Sequence, residues 1–245
     1  MDAYKTSETD TRESPTIKST NTNADAKKDE KASIEKGIKE GTEILKIINN
    51  GGAGAPPITV TKDDWKKVGH IKTSNREYEV ESVHTEWQVI KSGDGATILP
   101  ILERDGKRYI VLEYKPEPSL KQWLLELPAG GKSKGEDSAT TAIRELEEET
   151  GFKATNLALF MHDMHFMPSR FEQREDVYIA TGLTESYRHL EYEEQPIKVC
   201  VFPEDLVEVL LKQNKITDFR TVAVLSQYFL REHEKKGLGS LLRGN

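Results

Sequence analysis

Between residues 96 and 202 short apolar or alternating runs recur between polar breaks. They predict strands over 96–102, 108–114, 122–127, 158–161, 176–181 and 197–202, with a further strand over 77–83. Asp105-Gly106 separates two of them and predicts a tight hairpin, because both residue types accept the positive φ angles of a two-residue turn. Three helices fit the remaining periodic segments: about 138–150, about 204–213, and a last one from Asp218, the N-cap, to about 234. In that last helix Val222, Leu225 and Phe229 form the apolar row. No internal repeat and no heptad array interrupts this mixed α+β pattern.

The N-terminal part reads differently. Twelve of the first 33 residues are Ser, Thr or Asn, and Tyr4 is the only aromatic before Trp65. Such a stretch buries too little apolar area to offset its ordering entropy, so disorder is expected from residue 1 to about 32. Ile34, Ile38, Leu45 and Ile48, joined by Ile44 and Ile47, then follow a rough helical stripe. Gly37 and Gly41 each weaken that helix by about 1 kcal/mol relative to Ala, so 33–49 is expected to be at best a docking helix. Gly51, Gly52, Gly54, Pro56 and Pro57 mark a flexible linker. The expected organisation is a tail over 1–57, whose first fifty residues are dispensable for activity, and a folded domain over 58–240.

A chain of 245 residues with 36% apolar and 31% charged positions supports one such domain. No run approaches the ~18 apolar residues of a membrane span, and the N-terminus lacks the apolar stretch of a signal peptide, so the expectation is a cytoplasmic or nuclear protein. Cys200, the single cysteine, cannot form an intramolecular disulfide and reads as a buried strand thiol. A net charge of −7 gives no general attraction to nucleic acid or to an anionic membrane, which leaves a small molecule as the expected partner.

The segment that carries chemistry runs from Gly130 to Phe152. Glu145, Glu148 and Glu149 stand at i, i+3 and i+4, so one turn of helix presents three carboxylates. Their mutual repulsion calls for a cation, and hard oxygen ligands at this density suit Mg²⁺ or Mn²⁺ better than zinc. Ala139, Ala142, Ile143 and Leu146 form the opposite, apolar face that would seat the helix on a sheet. Arg144 is placed to pair with Glu148, and Gly151 reads as a left-handed C-cap with Phe152 tucked behind it. Taken alone, a run of glutamates is more often a solvated helix face.

The full spacing decides otherwise. Gly130, Glu136, Arg144, Glu145, Leu146, Glu148, Glu149, Gly151 and Phe152 match every defined position of the Nudix box, and the chain resembles the Nudix hydrolases. The resemblance implies an αβα sandwich with a mixed sheet, in which the box is a strand-loop-helix unit holding Mg²⁺, with Mn²⁺ as substitute. It implies Glu145 and Glu149 as main metal ligands, Glu148 as a further ligand or water-orienting group, Arg144 as the residue aligning them, and the Ala129 carbonyl as an added ligand.

The lead-in Glu126-Leu127-Pro128-Ala129-Gly130 resembles the branch that hydrolyses ADP-ribose and other nucleoside diphosphate sugars. Similarity to that branch covers about residues 63 to 232. It implies a homodimer built through the strands of 58–90, and an aromatic stacking on the base near Trp65, for which a hydrophobic anchor at the domain edge is the competing reading. It also implies a late acidic loop where Glu193 or Glu194 acts as base or added ligand. Lys115 stands where the branch commonly grips phosphate with arginine, keeping the charge but losing the bidentate fork. Arg170 is the candidate to restore that contact. His162 and His165 lack the further ligands of a zinc site.

The expected reaction is therefore Mg²⁺-dependent hydrolysis of ADP-ribose to AMP and ribose 5-phosphate. GDP-mannose or UDP-sugars, capped RNA, and a catalytically silent nucleotide sensor are the alternatives. Decapping would favour a basic channel, which the acidic balance does not suggest, and a sensor is expected to lose box carboxylates, none of which is missing.

Overall fold

The computed structural model describes residues 23–58, 73–80, 83–186, 188 and 196–241, with side chains described over 34–58, 88–186, 188 and 196–237. Helix α1 (Asn23–Asn49) comes first, followed by a two-stranded antiparallel ribbon of β1 (Thr73–Val80) and β2 (Val83–Ile90). The main sheet then forms from β3 (Gly95–Arg104), β4 (Lys107–Glu117), β5 (Gln122–Glu126), β6 (Ala129–Gly131), β7 (Phe152–Met164), β8 (Glu175–Glu185) and β9 (Lys198–Pro203). Three helices complete it: α2 (Ser138–Glu145), α3 (Glu204–Lys212) and α4 (Phe219–Leu241). No described helix is long and apolar enough to cross a membrane.

The sheet is mixed. Its strands run β5-β4-β3-β8-β7, β3 and β8 are parallel, and β6 and β9 pair with β3 and β4 off that path. Both faces are covered, which is why central runs such as 110–112 and 199–202 are continuously apolar rather than alternating. Leu99, Leu112, Cys200 and Phe202 pack toward α3 and α4, whereas their neighbours Ile98, Val111 and Val201 pack toward α2 with Ala142 and Leu146. The result is the expected α/β/α sandwich. Asp105 and Gly106 take φ of 51° and 71° in the β3–β4 hairpin, and the Asp218 side chain accepts from the Thr221 amide at 2.8 Å at the head of α4, both as read from sequence.

The N-terminal region departs from expectation. Helix α1 starts at Asn23, ten residues before the predicted 33, and so replaces disorder over 23–32. That segment contains neither Gly nor Pro and is dominated by Ala, Lys, Glu and Asp, a composition whose helical tendency outweighed its low apolar content. Nor is α1 loosely docked. Ile34 belongs to the core on the α2 side and Ile44, fully buried, to the core on the α3/α4 side, so the helix crosses β9 and closes both.

The two glycines counted against this helix are what let it approach. A Cβ at Gly37 would lie 2.6 Å from Val201 Cγ2, and one at Gly41 would lie 3.1 Å from the Phe202 ring. Gly37→Ala is therefore expected to lower stability by up to about 2 kcal/mol despite alanine's better helix propensity, because overpacking costs ~1–3 kcal/mol against a gain near 1. A urea melt checks the sign, and a stabilised variant would show that α1 can shift outward at no cost.

Three strand expectations also shift. The ribbon strand predicted at 77–83 lies at Thr73–Val80, β2 and β6 had no predicted bounds of their own, and β7 spans thirteen residues where 158–161 was expected. Much of β7 is exposed at the edge of the sheet, so its polar residues and the register shifts after Leu159 and Met161 masked the pattern.

Candidate active site

The site is built where β6 turns into α2. At Gly130 a Cβ would lie 2.0 Å from the Glu145 carboxylate carbon, so only glycine lets that buried carboxylate lie across the strand. Asp137 starts α2 by accepting from the Thr140 amide at 2.7 Å. After Glu145 the helix widens into a π turn, Leu146–Thr150, closed by Gly151 at φ 75°. Such π turns recur at functional sites. The buried positions are Thr141, Ala142, Glu145, Leu146, Glu149 and Thr150. Carboxylates and apolar residues thus share one inward side, and Ile143, expected in the apolar face, is instead 54% exposed at the back.

Arg144 gathers the outer carboxylates. Its guanidinium donates to Glu136 at 3.0 and 3.1 Å, to Glu145 at 2.6 Å, to Glu148 at 2.9 Å and to the Gly131 carbonyl at 2.9 Å. Glu136 accepts from the Ser133 amide as well. The Arg144 and Ser133 bonds hold the Glu136 carboxyl down at about 2, and the Glu136, Glu148 and Glu145 carboxylates raise Arg144 further above its usual range. A lysine keeps the charge but loses the planar fork. Arg144→Lys is accordingly expected to lower turnover at least ~10-fold, roughly 1.4 kcal/mol of barrier. Steady-state rates at saturating divalent metal would test this, and unchanged turnover would show that the fork has no role in positioning.

A second group lies deeper. Glu149 is 2% exposed and accepts from the Ala129 amide at 2.9 Å. Burial, reinforced by the nearby charge of Glu113, raises its carboxyl well above the ordinary range. Lys115 pairs with Glu126 at 3.2 Å. Burial alone would lower the lysine, but Glu126, Glu113 and Glu149 outweigh it and hold the ammonium above its usual value. Alternation on β4 puts Val111, Glu113 and Lys115 on the face turned to α2, and Glu113 stands opposite Glu126 across the β4–β5 ladder. Lys115, Ala129 and Glu149 line a cavity of about 260 Å³ with Pro116, Pro118 and Ile197.

Among the described residues, no three acidic or histidine side chains converge in ligating geometry, since Glu145 and Glu148 are drawn onto Arg144. The donor set nevertheless fits a hard divalent cation. It is all oxygen, the bare Cα of Gly130 leaves the Glu145 carboxylate room, and a buried Glu149 raised in pKa is a ligand whose ionised form a cation would stabilise. Glu145, Glu148, Glu149 and the Ala129 carbonyl would hold it. A cation bound there polarises phosphoryl oxygens and lowers the pKa of coordinated water.

Of the residues singled out in the sequence, the structure brings Arg144, Glu145 and Glu148 together, and Glu149, Ala129 and Lys115 beside them. Trp65, Glu193 and Glu194 lie outside the described residues. Arg170 is not among the residues lining the cavity, and its loop is tied to the ribbon instead, the Ile90 amide donating to the Arg170 carbonyl at 2.7 Å. His162 bonds Asp176 at 2.8 Å and does not converge with His165. Cys200 is buried, and burial raises its thiol far above the usual value, as suits an inert core residue. Glu113 and Glu126 went unassigned. A glutamate inside the apolar run from Ile110 to Tyr114 was the available signal.

The sandwich thus brings a glutamate-rich helix to a strand-borne lysine and a backbone amide. The NUDIX domain model matches residues 91–225, and the chain belongs to the Nudix hydrolase family. Among its relatives, the ADP-ribose pyrophosphatase of Bacillus subtilis is 28% identical over 147 residues, covering 59% of this chain and 77% of that one. A methanol dehydrogenase activator of Bacillus methanolicus is 27% identical over 169 residues, 66% and 86% of the two chains. The mouse ADP-sugar pyrophosphatase is 32% identical over 90 residues, 36% and 41%. A crystal structure of an ADP compounds hydrolase superposes with a TM-score of 0.57 at 20% identity, covering 74% of this chain and 96% of the other, which supports the fold.

Proposed function

We propose that this enzyme hydrolyses the diphosphate of a nucleoside diphosphate sugar, ADP-ribose foremost, to AMP and ribose 5-phosphate, with Mg²⁺ as its cofactor. The observation that carries the reading is the pairing of the buried Glu149 with the Ala129 amide beside Lys115, in one small cavity at the end of the Nudix box. Lys115 supplies a positive charge for a phosphate, and Glu149 with Glu145 supplies the carboxylates for the metal. Arg144 fixes the outer carboxylates, so the ligands need little rearrangement when substrate arrives. The ADP-ribose and ADP-sugar pyrophosphatases among the relatives support adenosine diphosphates over other nucleotides. We further infer that the protein works as a homodimer, with Trp65 stacking on the base and Glu193 or Glu194 completing the acid-base chemistry.

The test is incubation of the purified full chain with Mg²⁺ and separate nucleoside diphosphate sugars, the released mononucleotide being identified by chromatography. AMP from ADP-ribose at a kcat/KM at least ~10-fold above that for GDP-mannose or UDP-glucose is expected. Preference for either of those, or for capped RNA, would reassign the substrate.

A further inference from the structure

The last carbonyls of a helix have no partner inside it, and the π turn that carries Glu149 is only five residues long. Its end is held from outside. The Ser186 amide donates to the Gly151 carbonyl at 2.6 Å, and Arg188 donates through Nε to the Glu149 carbonyl at 2.5 Å. Ser186 and Arg188 come just after β8 in the chain, so the exit of that strand meets the end of the box. A Cβ at Gly151 would lie 3.4 Å from the Arg188 Cβ, which places Arg188 directly against the turn. A cation at a helix C-terminus also complements the negative end of its dipole.

The second arm of Arg188 reaches another wall of the site. Its guanidinium donates to the Ile197 carbonyl at 2.9 Å, immediately before β9. Ile197 lines the cavity that also holds Lys115, Ala129 and Glu149. Glu149 is therefore tied at both ends: its carboxylate accepts from the Ala129 amide of β6, and its carbonyl accepts from Arg188. Both Arg188 bonds come from one planar guanidinium, so they fix the end of the glutamate helix relative to the entry of β9. Lysine, a compact point charge on a flexible stem, lacks the fork that spans two carbonyls.

We propose that Arg188 is a positioning residue for the metal site: by holding Glu149 and Ile197 together it sets where the Glu149 carboxylate stands, and with it the affinity for a divalent cation. The inference rests on the reading of Glu149 as a metal ligand and not on the choice of nucleotide. Site geometry has to be kept within about 0.5 Å, and loss of a group that orients metal ligands commonly costs about 10–100-fold in affinity. Arg188 acts through the Glu149 main chain, so its removal should change metal binding before it changes recognition of the nucleotide.

The test is Mn²⁺ titration calorimetry on the full chain without nucleotide, in wild type, Arg188→Gln, Arg188→Lys, Glu149→Gln and Lys153→Gln. Lys153 pairs with Glu147 at 3.0 Å on the same turn, so its variant reports on the stability of the helix end alone. Arg188→Gln should weaken Mn²⁺ binding at least ~10-fold, Arg188→Lys at least ~3-fold, and Lys153→Gln less than ~2-fold. Arg188→Lys keeps the charge and carries the measurement if Arg188→Gln melts early. In steady-state hydrolysis of ADP-ribose, the Mg²⁺ concentration for half-maximal rate should rise by similar factors, while KM for ADP-ribose at saturating Mg²⁺ stays within ~2-fold of wild type. Wild-type Mn²⁺ affinity in both Arg188 variants, or an equal loss in Lys153→Gln, would overturn the positioning role. A raised KM with the metal response unchanged would do the same. Unaltered Mn²⁺ affinity in Glu149→Gln would instead remove the ligand assignment, and the inference with it. A wrong nucleotide assignment would leave the calorimetry standing.

Discussion

Glu149→Gln is expected to lower turnover by at least about 100-fold, roughly 2.7 kcal/mol of barrier, and at the same time to raise the melting temperature of the metal-free protein at alkaline pH. Both effects come from one buried carboxylate. The variant keeps an oxygen to accept the Ala129 amide but loses the charge a divalent cation needs. As to stability, burial and the nearby Glu113 charge raise the folded Glu149 carboxyl above the 4.5 at which it ionises in an unfolded chain. The folded state therefore holds its proton more tightly. That contribution is fully present below about 4.5 and is lost as pH rises through the raised folded value. Glutamine has no such titration, so the melting difference in favour of the variant should grow from pH 5 to pH 9 in EDTA and shrink or reverse when Mg²⁺ is added. A difference flat with pH, or wild-type turnover, would remove Glu149 from the role given to it.

Removing residues 1–50 is expected to destabilise the domain severely, contrary to what the low apolar content of the tail suggests. Helix α1 contributes Ile34 to one core and the fully buried Ile44 to the other, and covers Val201 and Phe202 of β9. Ile44→Ala alone should cost ~2–5 kcal/mol by the usual scale of buried large-to-small changes. Loss of the whole helix should then take most of a typical domain's ~5–15 kcal/mol margin. Urea melts of the truncated chain and of Ile44→Ala give the measurement, with a chain shortened by 22 residues as the matched control. Should the fifty-residue truncation melt like the full chain, α1 would be peripheral after all.

The two cases mark where sequence reading succeeds and where it stops. Box residues were legible because their roles are local. Arg144 reaches Glu148 one turn away, and Gly151 ends the turn with a positive φ that favours glycine. The glycines of α1 were misread for the opposite reason. Within the helix Gly37 and Gly41 are defects, and only the presence of Val201 and Phe202, more than 150 residues away, makes them contact points. Glu113 and Glu126 escaped assignment in part for the same reason, since a glutamate within an apolar run marks Glu113 as unusual but does not say that it lies near Glu149, or that Glu126 of β5 meets Lys115 of β4.

By itself, the sequence determined the carboxylate helix and the Asp105-Gly106 hairpin, because spacing and turn chemistry act over a few residues, and the resemblance of its box to the Nudix hydrolases implied the α/β/α sandwich. Only the tertiary structure decided that α1 seals β9, that Lys115 meets Glu149, and that Arg188 donates to the Glu149 carbonyl. Those contacts link elements that are far apart in the chain, and their energies depend on which surfaces meet, which no local pattern encodes.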